Sequence, residues 1–336
     1  MTGLDAVRAR FARNQGLPFA DILTEANILD VLDEHGVEFR DRVFNPVTTI
    51  WGFLGQVLSE DHSCRDAVSR IIAHRAANGD PVCSPNTTSY CNARSRILTN
   101  VLSTLARRTA QELQASIAEQ WKWNGRSVFI FDGSTVSMPD TPLNQSMYPQ
   151  PPKQKPGLGF PLARIGVLLS LATGACHNLA VASYSGKGTG ETTLFRQMYD
   201  TLKAGDVVVA DALFDNYFIA CELRQRGIDI VARVQHERAD SWTKEIRADG
   251  EILVWQRSQK PRGMTAAQYQ SYPKQLTMRR VQSAAFDEML RIIREGRVNS
   301  AWHSMMRNAF EETLKLLQRS LPNVHGNWRD RHISTT

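Results

Sequence analysis

The sequence predicts an α/β protein whose first third is entirely helical. From about residue 20 to residue 120, apolar residues recur at helical spacing. After Gly125, short apolar runs typical of strands alternate with helical patterns. One of these runs, Val207 to Ala210, has the continuous apolar character of a strand buried in a parallel sheet. We therefore expect an all-helical N-terminal domain followed by an α/β domain.

Composition sets the broad class of protein. A chain of 336 residues with 42% hydrophobic and 22% charged residues is typical of a globular protein with two or three domains. The five cysteines are irregularly spaced and show no zinc-type pairs, which predicts reduced thiols in a cytoplasmic protein. No apolar stretch reaches the about 18 residues that a membrane helix needs, and no membrane partner is expected.

Caps and breakers divide the helical part into four predicted helices. The last of them carries Arg94, Arg96, Arg107 and Arg108, which could form either a solvated face or a grip on DNA phosphates. Helix starts are predicted at Pro46, after Asp61 or Ser63, and at Ser84-Pro85. Helix ends are predicted at His35-Gly36, at Asn78-Gly79 and at about Ile117.

The first strand of the α/β part ends at an aspartate. Val128 to Phe131 is a short run of apolar residues, and Asp132 follows it directly. Asp132-Gly133 could be a hairpin turn, with Thr135 to Met138 as a second strand. Alternatively, Asp132 is the first metal-holding carboxylate of a phosphoryl-transfer site.

A basic, irregular region follows. Leu143 to Pro161 is rich in Pro, Gly, Gln and Asn, which predicts a long loop. The glycine-rich segment from Ser185 to Glu191 leads into a helix. It could be a plain connecting turn, or it could bring Lys187 to a nucleic-acid backbone.

A second aspartate ends the next apolar strand. Asp211 comes directly after Val207 to Ala210, and Asp215 is expected to cap the helix that follows. A further strand from Ile228 to Val234 would complete a β-α-β unit. Two carboxylates at the ends of adjacent buried strands could hold Mg²⁺ or Mn²⁺ ions about 3.5–4 Å apart for phosphodiester chemistry.

From about residue 235 the pattern changes to short strands and loops. Tyr269 and Tyr272 lie among basic residues there, and aromatic rings can stack on bases while basic groups bind phosphates. A solvated surface insert is the alternative. With Lys187, the candidate DNA-binding residues are Arg257, Lys260, Arg262, Lys274, Arg279 and Arg280.

Five segments carry a resemblance to a known family. The sequence resembles bacterial insertion-sequence transposases of the Asp-Asp-Glu class, specifically the family of insertion sequence four. The resemblance implies a ribonuclease H-like core, a mixed sheet flanked by helices, with a β-rich insertion. It implies that Asp132 and Asp211 are catalytic metal ligands. The segments are Phe131–Gln145, Gln154–Arg164, Gly186–Thr192, Gly205–Asp211 and Tyr272–Arg279.

The same resemblance implies the activity and the partners. Such an enzyme binds the inverted-repeat ends of its element and a target DNA, cleaves DNA, and transfers strands with Mg²⁺ or Mn²⁺. It is expected to act as a homodimer on double-stranded DNA in the bacterial cytoplasm, associated with the nucleoid. The expected domains are a helical DNA-binding domain (1–120), the catalytic core with its insertion (121–282) and a divergent helical tail (283–336).

The third acid departs from the family pattern. The family places it in the motif Tyr, two residues, Arg, three residues, Glu, six residues, Lys, and no such motif follows Val281. Arg291 and Glu295 reproduce only the Arg-to-Glu spacing. The resemblance is therefore expected to end near Gln282. The alternative function is a truncated, catalytically incomplete transposase that only binds DNA or interferes with an intact copy, and an unrelated metal-dependent nuclease is a further possibility.

Overall fold

The computed structural model describes residues 23–155, 157–234, 243–247 and 250–280. The chain divides into two compact units, Met1–Ala115 and Ser116–Thr336. The expected tail (283–336), with Arg291 and Glu295, lies outside the described residues. Of the helices in the described ranges, none combines the length and hydropathy needed to cross a bilayer.

The described part of the first unit is helical. Side-chain caps explain where several helices begin: Thr24, Asn45 and Ser63 each accept a hydrogen bond from a backbone N–H of the first turn. Buried aliphatic residues of the first, second and fifth helices form a shared core. The helices are α1 (Glu25–Glu34), α2 (Pro46–Leu58), α3 (Cys64–Ala77), α4 (Thr88–Arg94) and α5 (Thr99–Ala115).

The predicted single helix from Ser84-Pro85 to Ile117 is wrong. The Asn86 side chain accepts a hydrogen bond from the Thr88 amide, which places the helix start three residues after Pro85. The Ser95 hydroxyl bonds back to the Asn92 carbonyl as α4 ends. Competition of this kind between side chain and backbone breaks helices locally, so two helices form instead of one.

The second unit contains a five-stranded mixed sheet in its described part. The strand order is β3-β2-β1-β4-β5, with β1 antiparallel to β2, β2 antiparallel to β3, and β4 parallel to both β1 and β5. This confirms the predicted α/β class. The strands are β1 (Val128–Ser137), β2 (Leu162–Ser170), β3 (Cys176–Ser183), β4 (Val207–Ala210) and β5 (Asp229–Ala232).

Three helices accompany this sheet. α7 and α8 contribute Phe195, Ile219 and Leu223 to a core that also contains Phe129 and Val208 from the strands. The helices are α6 (Pro142–Met147), α7 (Glu191–Arg196) and α8 (Tyr217–Gln225). One sheet face is thereby buried under α7 and α8, which holds in place β1, the strand that contains Asp132, and β4, the strand that Asp211 follows.

Two expectations about the β1 region need correction. Asp132-Gly133 is not a hairpin turn, because β1 is a single ten-residue strand that pairs with β2 from Phe129 to Ser137 without interruption. The segment from Leu143 to Pro161 is not wholly irregular either. It begins within α6, which Thr141 caps by accepting a hydrogen bond from the Asn144 amide.

A separate three-stranded antiparallel sheet lies later in the same unit. Its order is β6-β7-β8, and α9 (Ala266–Ser271) precedes the last strand. Leu253, Trp255 and Leu276 pack against Tyr217 and Phe218 of α8. The strands are β6 (Thr243–Arg247), β7 (Gly250–Gln256) and β8 (Gln275–Arg280).

Glu222 on α8 links three parts of this unit. Its carboxylate accepts hydrogen bonds from Arg196 (2.8 and 3.2 Å), from the Tyr199 hydroxyl (3.0 Å) and from the Tyr272 hydroxyl (2.8 Å). Burial, together with the bond to Glu222, raises the pKa of Tyr272 to about 12, so this phenol remains a donor at neutral pH. One carboxylate thus satisfies donors from α7, the following 3₁₀ turn and the segment before β8.

We expect Glu222→Ala to destabilise this unit by about 2–4 kcal/mol, because it leaves the Arg196 guanidinium, the buried phenol of Tyr199 and the half-buried phenol of Tyr272 without their acceptor. Urea denaturation would measure the loss. Glu119→Ala is the control, since Glu119 forms a surface ion pair with Lys122 that is worth less than about 1 kcal/mol. Equal losses in both variants would contradict the structural role of Glu222.

Candidate active site

The structure brings Asp132 and Asp211 to matching positions on adjacent parallel strands. Ile130 of β1 lies beside Val209 of β4, and each aspartate comes two residues after that pair. Asp211 still has extended backbone (φ −74°, ψ −177°). Neighbouring parallel strands lie about 4.8 Å apart, so the chain segments that carry Asp132 and Asp211 leave the last pair of this ladder from adjacent positions.

Each aspartate is exposed and held by a single backbone contact. Asp132 Oδ1 accepts a hydrogen bond from the Gly133 amide (2.8 Å), and Asp211 Oδ1 accepts one from the Leu213 amide (2.9 Å). Within the described residues, Oδ2 of each carboxylate has no hydrogen-bond partner. Each side chain is therefore oriented through one oxygen while the other remains available to a ligand.

The local role of Asp211 differs from the expectation. Asp211 caps the 3₁₀ turn Ala212–Phe214. The cap of α8 is Asn216, whose side-chain oxygen accepts from the Phe218 amide (3.0 Å), whereas Asp215 is buried. The prediction that Asp215 caps this helix is wrong. The reason is local geometry, because the 3₁₀ turn uses three further residues before the helix can begin.

Three aromatic rings fix the elements around the aspartates. Phe131 immediately precedes Asp132, and Phe214 ends the turn that Asp211 caps. Their ring centroids lie 5.0 Å apart in an edge-to-face arrangement. Phe195 of α7 lies 4.6 Å from Phe131 and 5.4 Å from Phe214. These fully buried contacts tie β1, α7 and the turn after β4 to one another.

Glu191 is a further carboxylate close to β1, and the sequence analysis did not single it out. It is the first residue of α7, one helical turn before Phe195, and its side chain lies against Gly133. A Cβ at position 133 would lie 2.5 Å from both Cγ and Cδ of Glu191. The sequence signal was present as Asp132-Gly133 and as the acid that ends the glycine-rich turn, but nothing in the sequence linked the two segments.

The donor set suits a divalent cation. Carboxylate oxygens are the ligands that hard cations such as Mg²⁺ prefer, and Oδ2 of both aspartates is available. In the side-chain conformations described, no three His, Cys, Asp or Glu side chains are gathered closely enough to hold a metal ion together. The two aspartates therefore fit a metal ion as a pair that further ligands would complete.

Of the seven candidate DNA-binding residues, four are exposed, one is half-buried, and two are held by contacts within the protein. Lys187, Arg262 and Lys274 are exposed. So is Lys260, although its ammonium donates to the Met264 carbonyl (2.9 Å). Arg279 lies half-buried on β8.

Two other arginines of this set have internal roles. Arg257 donates to the Tyr269 and Tyr272 carbonyls (3.0 and 2.8 Å) and stacks over the Tyr269 ring at 4.1 Å. Arg280 forms an ion pair with Glu251 (2.5 Å). The exposed members are thus better placed for a phosphate than Arg257 or Arg280.

A carboxylate within one strand and another directly after the neighbouring parallel strand are found in the class of α/β proteins that use carboxylates to hold divalent ions. The comparison with known families identifies the chain within that class. Residues 123–303 match the family model of the transposase DDE domain, which is more than half of the chain. The chain therefore belongs to the transposase DDE domain family.

Individual relatives are more distant. The chain is 27% identical over 136 residues to the putative transposase InsZ of Escherichia coli (strain K12), an alignment that covers 40% of this chain and 44% of that protein. The chain thus spans less than half the length of this curated relative. Among solved structures, the cryo-EM structure of the piggyBac transposase synaptic complex with hairpin DNA is similar at 10% identity and a TM-score of 0.35. That similarity covers 75% of this chain and 62% of piggyBac.

The family match corrects one expectation and supports another. It continues to residue 303, so the expectation that the resemblance ends near Gln282 is wrong. Glu288 and Glu295 lie within the matched range but outside the described residues. A DDE domain also implies a divalent metal cofactor in general, in agreement with the carboxylate oxygens of Asp132 within β1 and of Asp211 directly after β4.

Proposed function

We propose that this chain is a DDE transposase that binds the ends of its element and catalyses metal-dependent DNA cleavage and strand transfer through Asp132 and Asp211. One observation carries the proposal. Within the matched domain, both aspartates stand two residues beyond the same pair of neighbours on parallel strands. Equal register on adjacent buried strands gives two carboxylates the rigid spacing that a shared divalent ion requires.

The topology supports a ribonuclease H-like core. A long antiparallel meander (β1 to β3) is joined to a parallel β-α-β unit (β4, α8, β5), and β1 is the central strand that belongs to both. The segments that resemble the family of insertion sequence four surround these elements, and Phe131–Gln145 and Gly205–Asp211 contain the two aspartates. We assign residues 121–282 to the catalytic core with its insertion on this basis.

The chain's own groups would position the reacting phosphate. Bound Mg²⁺ or Mn²⁺ would polarise the phosphodiester and lower the pKa of an attacking water or hydroxyl. Asp132 and Asp211 would hold the ions through Oδ2, while the amides of Gly133 and Leu213 keep each carboxylate from rotating. The contact between Phe131 and Phe214 would keep β1 and the turn after β4 in fixed positions relative to each other.

The DNA contacts that we propose use the exposed basic residues. Lys187 lies on a glycine-rich turn, and Arg262 and Lys274 lie before and after α9. The helical domain (1–120) would bind the element ends, and two copies of the chain would hold one pair of ends. Of the arginines predicted for its basic face, Arg108 pairs with Asp30 and Glu34, and Arg94 donates to Gln56.

We expect Arg262→Ala and Lys274→Ala each to weaken DNA binding uniformly across sequences and to reduce the salt slope of the binding constant by about 1, because each removes one phosphate contact. Fluorescence anisotropy at several salt concentrations would measure both quantities. Lys122→Ala is the matched control, since Glu119 already neutralises Lys122. A slope unchanged from that of the unmodified protein would remove these residues from the DNA interface.

The proposed function is tested by incubating the full chain with DNA carrying the element ends in Mg²⁺ or Mn²⁺, with EDTA as the control. Cleavage at the ends that requires metal is the expected result. Binding without cleavage in either metal would favour a catalytically incomplete transposase. Cleavage of any DNA regardless of the ends would favour a metal-dependent nuclease.

A further inference from the structure

The loop between α6 and β2, residues 148–161, is held in shape by one glutamine side chain. The Gln150 side-chain oxygen accepts hydrogen bonds from the Gly157 and Gly159 amides (3.2 and 3.1 Å). Its amide nitrogen donates to two further carbonyls of the same loop (3.1 and 2.9 Å). Four backbone groups of an irregular segment are thereby satisfied by one residue, which favours a single conformation. We call this segment the glutamine loop.

A second glutamine fastens the glutamine loop to α6. Gln145 donates to Asp140 Oδ1 (2.8 Å) and to the Gly159 carbonyl (3.0 Å), and its side-chain oxygen accepts from the Gln150 amide (3.3 Å). The packing around Gly159 is close. A Cβ at position 159 would collide with Gln154 Oε1 and lie 2.9 Å from Gln150 Cβ. The glutamine loop is therefore shaped by its own contacts before any partner binds.

Two large apolar side chains of the glutamine loop point into solvent. Leu158 is 76% exposed and Phe160 is 61% exposed, although Gly159 between them is buried. Water contact with apolar surface costs about 25 cal/mol per Å², so the folded chain gains nothing from holding these groups outside. A shaped loop that presents leucine and phenylalanine to solvent has the character of a contact surface.

The charge of the same loop indicates the chemistry of the partner. Lys153 and Lys155 are exposed, and in the described part of the chain neither ammonium has an ion-pair partner. A turn joins Lys155 to Leu158, whose amide donates to the Lys155 carbonyl (3.1 Å). Residues 141–190 contain no Asp or Glu. Basic groups beside exposed apolar groups are complementary to DNA, in which phosphates flank apolar base faces.

The position of the glutamine loop relates it to Asp132. The ladder between β1 and β2 closes with the pair Ser137 and Leu162, and the Met138 amide then donates to the Pro161 carbonyl (2.9 Å). Asp132 lies five residues before Ser137, which is about 17 Å along an extended strand. Since DNA rises about 3.4 Å per base pair, a duplex that runs along β1 covers this distance in about five base pairs.

We propose that the glutamine loop is a DNA-contact surface at which Leu158 and Phe160 insert against unstacked bases while Lys153 and Lys155 hold the neighbouring phosphates. Leucine and phenylalanine are among the side chains that open base steps in this way. The inference rests on the proposed function, because it takes DNA as the partner and Asp132 as the place of the reacting phosphate. The unstacked step then lies about five base pairs from that phosphate.

Fluorescence of 2-aminopurine, a base that brightens when it is unstacked, tests the proposal. The full-length protein is bound, in EDTA so that the DNA stays intact, to duplexes that carry the element ends with 2-aminopurine at successive positions. We expect a rise of about twofold or more at one or two adjacent positions. Phe160→Ala and Leu158→Ala should each abolish the rise, and Phe160→Ala should weaken binding by about fivefold or more because stacking is lost.

The lysines and two control variants separate charge from stacking. Lys153→Ala and Lys155→Ala should each reduce the salt slope of the binding constant by about 1. Leu143→Ala is the matched control, because Leu143 is 68% exposed but lies about 200° around α6 from Gln145, away from the glutamine loop. It should leave both fluorescence and affinity unchanged. Phe160→Trp should keep the rise, since tryptophan also stacks on bases.

Three results would overturn the proposal. If the duplexes bind without a rise at any position, or if Phe160→Ala keeps both the rise and the affinity, the glutamine loop does not open DNA and the proposed function stands. If Phe160→Ala instead lowers the molar mass of the protein in light scattering and leaves DNA binding unchanged, the loop is a contact between copies of the chain. If the unmodified protein does not bind these duplexes, the proposed function fails together with this inference.

Discussion

Asp132→Asn and Asp211→Asn are each expected to lower metal-dependent DNA cleavage by about a thousandfold or more, equivalent to about 4 kcal/mol of transition-state stabilisation. Asparagine retains an oxygen that can accept from the Gly133 or Leu213 amide, so the local backbone should keep its conformation. What it loses is the negative charge that attracts the cation. The effect should therefore appear in the chemical step and not in folding or DNA affinity.

The measurement is single-turnover cleavage of labelled DNA carrying the element ends, with DNA affinity and thermal unfolding followed in parallel. Asp200→Asn is the control, because Asp200 is an exposed aspartate of the same unit. Its cleavage rate should stay within about twofold of the unmodified protein, since surface substitutions rarely disturb a site. Full activity in either Asp132→Asn or Asp211→Asn would exclude that residue as a metal ligand.

Phe131→Ala is expected to cost about 3–5 kcal/mol of the free energy of unfolding of the second unit, the usual loss for a buried phenylalanine. Phe131 is 1% exposed and contacts both Phe195 and Phe214. Removing its ring leaves a cavity at the point where the elements carrying Asp132, Glu191 and Asp211 meet. Stability and the geometry of the site should therefore be lost together.

Urea denaturation monitored by circular dichroism measures this loss, with Mn²⁺ affinity as a second measurement. Val136→Ala on the same strand is the control, because Val136 is 42% exposed and should change stability by less than about 1 kcal/mol. Phe131→Leu should lie between the two, since it keeps most of the apolar volume. A loss in Phe131→Ala no larger than that in Val136→Ala would show that the aromatic contacts do not hold these elements together.

Several features could be predicted because they depend on local sequence. The strand from Val207 to Ala210 and the helix starts at Pro46 and Cys64 follow from apolar runs and from capping residues adjacent in the chain. Asp132 and Asp211 could be singled out because each directly follows an apolar run, although β1 continues through Asp132 to Ser137 and the predicted strand end at Phe131 is wrong. The hairpin turn predicted at Asp132-Gly133 was wrong because it, too, was inferred from local sequence alone. Asp-Gly is a strong turn signal, and only the nine successive pairs between β1 and β2 override it.

Other features depend on contacts between distant segments. The sequence predicts that Arg257 and Arg280 bind phosphates. In the folded protein Arg257 donates to the Tyr269 and Tyr272 carbonyls, and Arg280 forms an ion pair with Glu251. The four hydrogen bonds of Glu222 come from residues 23 to 50 positions away in the chain, a distance over which no sequence periodicity extends.

The sequence by itself determined the α/β class and singled out Asp132 and Asp211 as candidates, because apolar periodicity and residue type are local properties of the chain. Tertiary structure alone decided that these aspartates share one register and that Glu191 approaches Gly133. Both facts depend on how β4 and α7 pack against β1, through a parallel ladder and an aromatic cluster that join residues about 60 to 80 positions apart. Folding thereby sets two acids that are 79 positions apart in the chain two residues beyond the same pair of neighbouring strand residues.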